Sequence, residues 1–496
     1  MKRLDQLTFT RFAMVLLVLF YHDTGGIYTS RLNFSPIREL LISAPTAVSY
    51  LYVLSGFVMS LVYFRPNEKF DIAGYWRSRF IRIYPLYIIS FLLICIYYID
   101  SIFQIKPQKI VANLFVIQAW IPDYSQSFNY SSWSMTVEFF FYAIFPFFIL
   151  WAYRQSTKKL IWVSILLWAF SQIVHFSLWV GYHPQYDNVL NYFPLFHLNS
   201  FILGVAGGIW YLREGQLVKV KSGTILAVLF GTFLFVAGYT VISTSVVPSL
   251  PHNLQPMAGW LSPWMTLFIV ALAMDKSRLS QVFTHPWLVN LGEASYAIYI
   301  LHVPIFWLYE RALENSSVSD PTFVFGVTFL PMMISIGLLT HFYVDTPLRK
   351  RLRDLLKRVS ARLFFADLAF TSLFVFLLFR LRFGEGREYQ SYREMERLMF
   401  WCVFLLRPII SLIFDTFNPL NFQKPYLNLV YKVTLAVTLG SALISGILYS
   451  GYATGWFENF PRSIFFIDWF AVLAFSLLTR FIFYALKNYR REPLPA

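Results

Sequence analysis

Eleven apolar runs lie between Met1 and Asp345, near residues 7–22, 45–63, 83–99, 110–121, 135–153, 160–180, 192–212, 223–243, 258–274, 288–308 and 322–343. A helix needs about 20 apolar residues to cross the hydrocarbon core, where every backbone polar group must be bonded within the segment. Ten of these runs are long enough to span. The run 110–121 holds only about a dozen residues and suits an interfacial or re-entrant segment better than a crossing. Four more runs follow, near 363–383, 398–414, 430–450 and 464–484. Only 14% of the 496 residues are charged, against roughly 25% in soluble domains, and the mean hydropathy is +0.55. The sequence therefore specifies an all-α integral membrane protein. It reads as a ten-span bundle over 1–347, a basic linker over 348–362 and a four-span membrane domain over 363–496.

The few charges are unevenly signed, 41 Lys and Arg against 26 Asp and Glu, for a formal net charge of +15. In soluble proteins such an excess often marks nucleic-acid binding. Here the cations sit in short clusters between apolar runs, as cytoplasmic membrane loops require, and no nucleic-acid partner is expected. With the N-terminus cytoplasmic and 110–121 not crossing, 22 cations fall on inside loops up to Arg362. They include Lys2, Arg3, five from Arg65 to Arg82, Lys219 and seven from Arg349 to Arg362. Outside loops carry only Arg31, Arg38, Lys106, Lys109 and Arg311. If the short run crossed, every later loop would swap sides and the positive-inside rule would fail. The basic stretch from Leu348 to Arg358 reads as an amphipathic linker on anionic lipid. The four runs beyond it return the C-terminus to the cytoplasm.

The two cysteines, Cys95 and Cys402, each lie in an apolar run, so neither a disulfide framework nor a metal site is expected. The first apolar segment follows Met1-Lys2-Arg3 like a secretion signal, but no small-x-small site follows before Arg31. It is read as a retained first span.

Ionisable groups inside spans are costly and are functional candidates by default. Arg11 and His22 lie eleven residues apart, about 1100° around a helix, which leaves them about 20° from eclipsed and about 16 Å apart along the axis. One face of the first span thus carries a deep cation and, further out, an imidazole; anchoring and interfacial roles are the alternative. Arg79 and Arg82, three apart at the cytoplasmic entrance of the third span, share a face and could clamp phosphates or act as a plain anchor. Tyr84-Pro85 follows, where proline breaks the hydrogen-bond ladder. Glu138, among apolar neighbours, should be protonated, paired or exposed to water, at a depth similar to His22, with Tyr142 on its face. His302 either supports such a site or bonds a neighbouring helix. His175, His183, His197, His252, His285 and His341 fall near loops or span ends and are not site candidates.

Together these residues resemble the membrane acyltransferases of family three, which modify surface glycans and other exported molecules in bacteria. The likeness runs in order along residues 1 to about 350. It includes Arg11 and His22 with Val18 between them, Tyr52-Val-Leu-Ser-Gly-Phe57, Arg79-x-x-Arg82-x-Tyr84-Pro85 and Trp133-Ser134-Met-x-x-Glu138-x-x-Phe-Tyr142-x-x-x-Pro146. Phe201-Ile-Leu-Gly, Ser295-Tyr-Ala-Ile-Tyr-x-x-His302 and Asp345-Thr-Pro complete it. Tyr50 and Tyr52 replace the family's usual Phe pair, and Asp345 its frequent Glu.

The resemblance implies a site open to acyl-CoA from the cytoplasm and to an acceptor from outside. His22 would be catalytic with Arg11 as its partner, and Glu138 would orient His22 or stabilise its imidazolium. Arg79, Arg82 and Tyr84 would hold the donor, most simply acetyl-CoA, without a metal. Trp133, Ser134, Tyr142 and His302 are further candidates. The expected reaction is O-acylation of a glycan or lipid-linked glycan in the bacterial inner membrane. The rivals are peptidoglycan, lipid or small-metabolite acylation, or a solute transporter. The tail from Asp367 loosely resembles the four-helix membrane domain of polysaccharide-biosynthesis enzymes, which implies a docking role toward assembly proteins.

Overall fold

The computed structural model describes residues 4–22, 44–98, 105–180, 186–218, 221–245, 259–357, 359–384, 386–418, 426–453, 455, 457 and 459–489. Lys2, Arg3, Arg31, Arg38, Lys219, Arg358, His183 and His252 lie outside them. Among the described residues there is no strand, and eleven helices are long and apolar enough to cross a membrane. Three other expected spans are helical without joining those eleven. Two are short: α1 (Gln6–Tyr21) and α10 (Ser262–Met274). The third, α16 (Arg387–Ile413), opens with six charges in its first eleven residues. The dozen-residue run resolves into an eight-residue helix, α4 (Pro107–Leu114), and a 3₁₀ turn at Gln118–Trp120.

The third span starts earlier than its apolar run. Asp71 caps α3 (Ile72–Tyr97) by accepting from the Gly74 amide at 2.9 Å. Arg77, Arg79 and Arg82 are therefore helical residues, not loop residues at a helix entrance. Pro85 sits inside the helix rather than starting it, since membrane helices tolerate proline where neighbours satisfy the freed carbonyls.

The chain divides into two compact units, Met1–Arg349 and Lys350–Ala496. In the first, α2 (Ala44–Tyr63) and α8 (Pro194–Trp210) make the most extensive helix contact. Glycine allows it, as small residues do between membrane helices. A Cβ on Gly204 would lie 2.0 Å from the Val53 carbonyl oxygen, and one on Gly56 2.1 Å from that of Phe201. Backbone cannot yield as a side-chain tip does. Gly204→Ala should lower thermal stability by at least the roughly 3 kcal/mol of strong overpacking, and an unchanged midpoint of the detergent-solubilised protein would refute the contact. α1 packs on α12 (Pro286–Glu314), and α12 on α13 (Pro321–Leu339). α13 ends in a π-helical turn, Thr340–Asp345, leading into α14 (Thr346–Lys357). The remaining spans of this unit are α5 (Trp133–Ala152), α6 (Thr157–Val180) and α9 (Ser222–Ser245), with short α7 (Asp187–Tyr192) and α11 (Arg278–Phe283) between spans.

The second unit is a ring of four helices, α15 (Ala361–Phe383), α16, α17 (Tyr426–Ala453) and α18 (Arg462–Tyr489), each packed on the next and the last on the first. Among the described residues its interior holds two ion pairs. Arg480 donates to Asp367 at 2.5 Å, and Arg407 donates to Asp468 and to Ser441.

Candidate active site

Two internal prolines fix the helices that carry the polar residues. Proline has no N–H, so the carbonyl four residues earlier loses its partner. Pro304 frees the Ile300 carbonyl, which accepts from Ser90 Oγ at 2.8 Å and Asn129 Nδ2 at 2.9 Å. Pro146 frees that of Tyr142, which accepts from Trp76 Nε1 at 3.0 Å. The orphaned carbonyls thus tie α12 to α3 and to the Asn129 segment, and α5 to α3.

Between these helices lies a cavity of about 160 Å³. Its walls include Arg11, Arg79, Arg82 and Arg349 against Glu138 and Glu293, with Ser55, Ser134, Tyr142, Tyr296 and Tyr299 among the neutral groups. Glu138 accepts from Tyr142 at 2.5 Å and from Ser55 at 3.5 Å. Arg79 donates to the Tyr63 hydroxyl at 3.1 Å and lies 5.4 Å from its ring centroid and 5.6 Å from that of Tyr142. Arg11 is within electrostatic range of Arg82, Glu293 and Glu138. Among the described residues, Arg11 and Arg82 have no hydrogen-bond or ion-pair partner. The cavity wall carries more cations than carboxylates.

The C-terminal end of α1 carries the second cluster. His22 caps α1, and its Nδ1 lies 2.9 Å from His302 Nε2. His302 Nδ1 lies 2.5 Å from the Tyr299 carbonyl. A carbonyl only accepts, so that Nδ1 bears the proton and a neutral His302 offers Nε2 as acceptor. His22 then donates from Nδ1, which leaves the lone pair of His22 Nε2 for a reacting group. The Tyr130 ring packs edge-on against His22 at 4.8 Å. Tyr299 links the clusters, since its side chain lines the cavity and shares a 2.7 Å hydrogen bond with Ser134.

The structure gathers Arg11, Arg79, Arg82, Ser134, Glu138 and Tyr142 around one cavity. His22 is not on its wall. Its partner is His302, not Glu138, because the axial rise along α1 carries the imidazole beyond the level of Arg11. His302 on α12 thus bonds the neighbouring helix α1 through His22. Tyr84 does not line the cavity; its hydroxyl donates to the Leu114 carbonyl at 3.0 Å and ties α4 to α3. Trp133 packs on Tyr192 and His197, at 5.0 and 5.1 Å between centroids. Glu293, Tyr296 and Tyr299 also line the cavity; none is among the residues expected at the site, although the tyrosines lie in the Ser295–His302 motif and, with Glu293 and His302, recur every third residue through an apolar span.

The described residues thus form a multi-pass helical membrane protein with an arginine-lined internal cavity and an imidazole pair at the C-terminal end of α1. The sequence profile of acyltransferase family 3, described as an acyltransferase domain, matches residues 4–341. The chain belongs to this family and is an acyltransferase. It is 26% identical over 337 residues to acyltransferase MdmB of Streptomyces mycarofaciens, covering 61% of this chain and 80% of that one. It is 25% identical over 377 residues to O-acetyltransferase OatA of Staphylococcus aureus, covering 71% of this chain and 59% of that one. For peptidoglycan O-acetyltransferase OatA of Listeria monocytogenes the identity is 24% over 361 residues, covering 68% and 54%. The chain thus spans little more than half the length of the OatA proteins. No solved structure matches.

Proposed function

We propose that this protein is an O-acetyltransferase of the bacterial inner membrane, which moves an acetyl group from cytosolic acetyl-CoA to a hydroxyl of an envelope or exported polysaccharide. The observation that carries the reading is the cavity lined by four arginines and two carboxylates, beside an imidazole with a free Nε2. Coenzyme A is the phosphate-rich carrier such cations recognise. The cavity's size suits the end of a donor rather than the whole molecule, since sites that enclose drug-sized ligands start near roughly 300 Å³. The excess of loop cations supports cytoplasmic termini and donor entry from that side.

In this reading His22 Nε2 takes the proton of the acceptor hydroxyl as its oxygen attacks the thioester carbonyl. Closing the C–O bond and breaking the C–S bond gives the ester and a thiolate, which takes the proton back from His22. His302 holds the His22 tautomer and accepts from the transient imidazolium, the part an Asp plays in a hydrolase triad. Arg79 and Arg82 bind the donor, and Arg11 balances Glu138 and Glu293. The second unit serves as a docking module for other polysaccharide-assembly proteins. Peptidoglycan is a second acceptor, favoured by the names of the OatA relatives.

The test is mass spectrometry of envelope glycans from cells with and without the gene, with calorimetric binding of acetyl-CoA to purified protein. Arg82→Ala should weaken binding about tenfold or more, as expected for losing a charge-assisted hydrogen bond. Unaltered affinity would remove Arg82 from the donor site, and unaltered glycans the acceptor assignment.

A further inference from the structure

The fourth cation of the cavity, Arg349, comes from the stretch expected to be a basic linker on lipid, yet it lines the cavity. It donates to Asp345 at 2.6 Å, and Asp345 is 2% exposed. His341 Nδ1 stands 3.7 Å from the same carboxylate oxygen. Asp345 closes the π-helical turn Thr340–Asp345, and Arg349 lies four residues on in α14, so the two side chains share a helix face. Tyr296 flanks the guanidinium, 5.8 Å from its ring centroid, and anchors to the cation-bearing α3 by donating to the Ile83 carbonyl at 2.6 Å.

The arrangement is not a closed structural ion pair. Arg349 Nε and Asp345 Oδ1 are buried without a partner. Arg349 is also within electrostatic range of Arg82, which is in turn within range of Arg11. Three guanidinium groups therefore face one small space, and among the described residues only Arg349 of the three makes an ion pair within 4 Å. Like charges in a partly desolvated cavity are costly until an anion enters, and planar guanidinium forks suit phosphate oxygens.

We propose that Arg349 and Arg82 form a two-arginine clamp for a phosphate or pyrophosphate group, with Asp345 as the positioning residue that presents Arg349. The inference rests on the donor reading above and adds to it a ligand from the far end of the catalytic unit. The carboxylate restrains the arginine from behind, so less side-chain entropy is lost when the anion binds.

The test uses the full chain in nanodiscs of neutral phosphatidylcholine, with CoA, inorganic pyrophosphate and phosphate-free pantetheine as calorimetric probes. Arg349→Ala should weaken CoA and pyrophosphate binding about ten- to a hundredfold and leave pantetheine binding unchanged. Asp345→Asn should raise the KM for the acyl donor while kcat is kept, and Asp345→Glu should restore the KM. Unchanged CoA and pyrophosphate affinity in a monodisperse Arg349→Ala protein overturns the clamp, as does an equal loss toward pantetheine. Altered retention of phosphatidylglycerol with unaltered CoA binding would make the anion a lipid headgroup and also overturn it. Pyrophosphate binding that depends on Arg349 without any CoA binding would leave the clamp standing and remove the CoA reading instead.

Discussion

Replacing His22 with alanine should lower acyl transfer by about 10²- to 10⁴-fold, the contribution of a positioned general base, while the protein stays folded. The side chain caps α1 at its end, so its loss removes ring contacts to Tyr130 and His302 but none in the middle of a span. His302→Ala should cost less in rate, because His22 keeps its Nε2 and loses only the group that fixes its tautomer. The two losses should not add in the double variant, since both act on the same proton transfer. Acceptor acylation measured by mass spectrometry on membranes checks all three. Wild-type rates in His22→Ala would remove it from the chemistry, and additive losses would separate the two imidazoles.

The second large effect concerns stability of the C-terminal unit. Asp468→Ala leaves Arg407 as an uncompensated cation, 6% exposed inside the helix ring, and breaking a buried pair this way costs about 3–5 kcal/mol. Replacing both partners with apolar residues of similar volume, Arg407→Met with Asp468→Leu, should recover most of that loss, because well-packed apolar pairs often match or exceed buried ion pairs. Thermal unfolding followed by a probe in residues 426–489 measures both. Equal destabilisation by the single and double variants would mean that the charges are used for more than each other.

The site was legible in the sequence as residue types but not as partnerships. Arg11 and Glu138 stand out because the membrane makes each costly, Arg82 because it shares a helix face with Arg79, and all of them meet in one cavity. The expected link between Glu138 and His22 failed because pairing depends on depth along several helices at once. His302, the actual partner, lies 280 residues from His22. Tyr84 and Trp133 belong to the same motifs as the cavity residues, yet they point to Leu114 and His197. A motif records neighbours along the chain, not which side of a helix faces the space.

The same holds for the fold. Hydropathy by itself determined an all-helical membrane protein and the approximate spans, because hydrocarbon leaves a chain few ways to satisfy its backbone. It misplaced the start of α3, since cations that line a polar cavity count against a span when averaged along the sequence. Only the tertiary structure decided that Gly56 and Gly204 let two helices touch backbone to backbone, that proline-freed carbonyls at Tyr142 and Ile300 pin helices together, and that four arginines converge. Those outcomes depend on distances between segments far apart in sequence. Composition and periodicity constrain each helix against lipid, but say nothing of which helix it will meet.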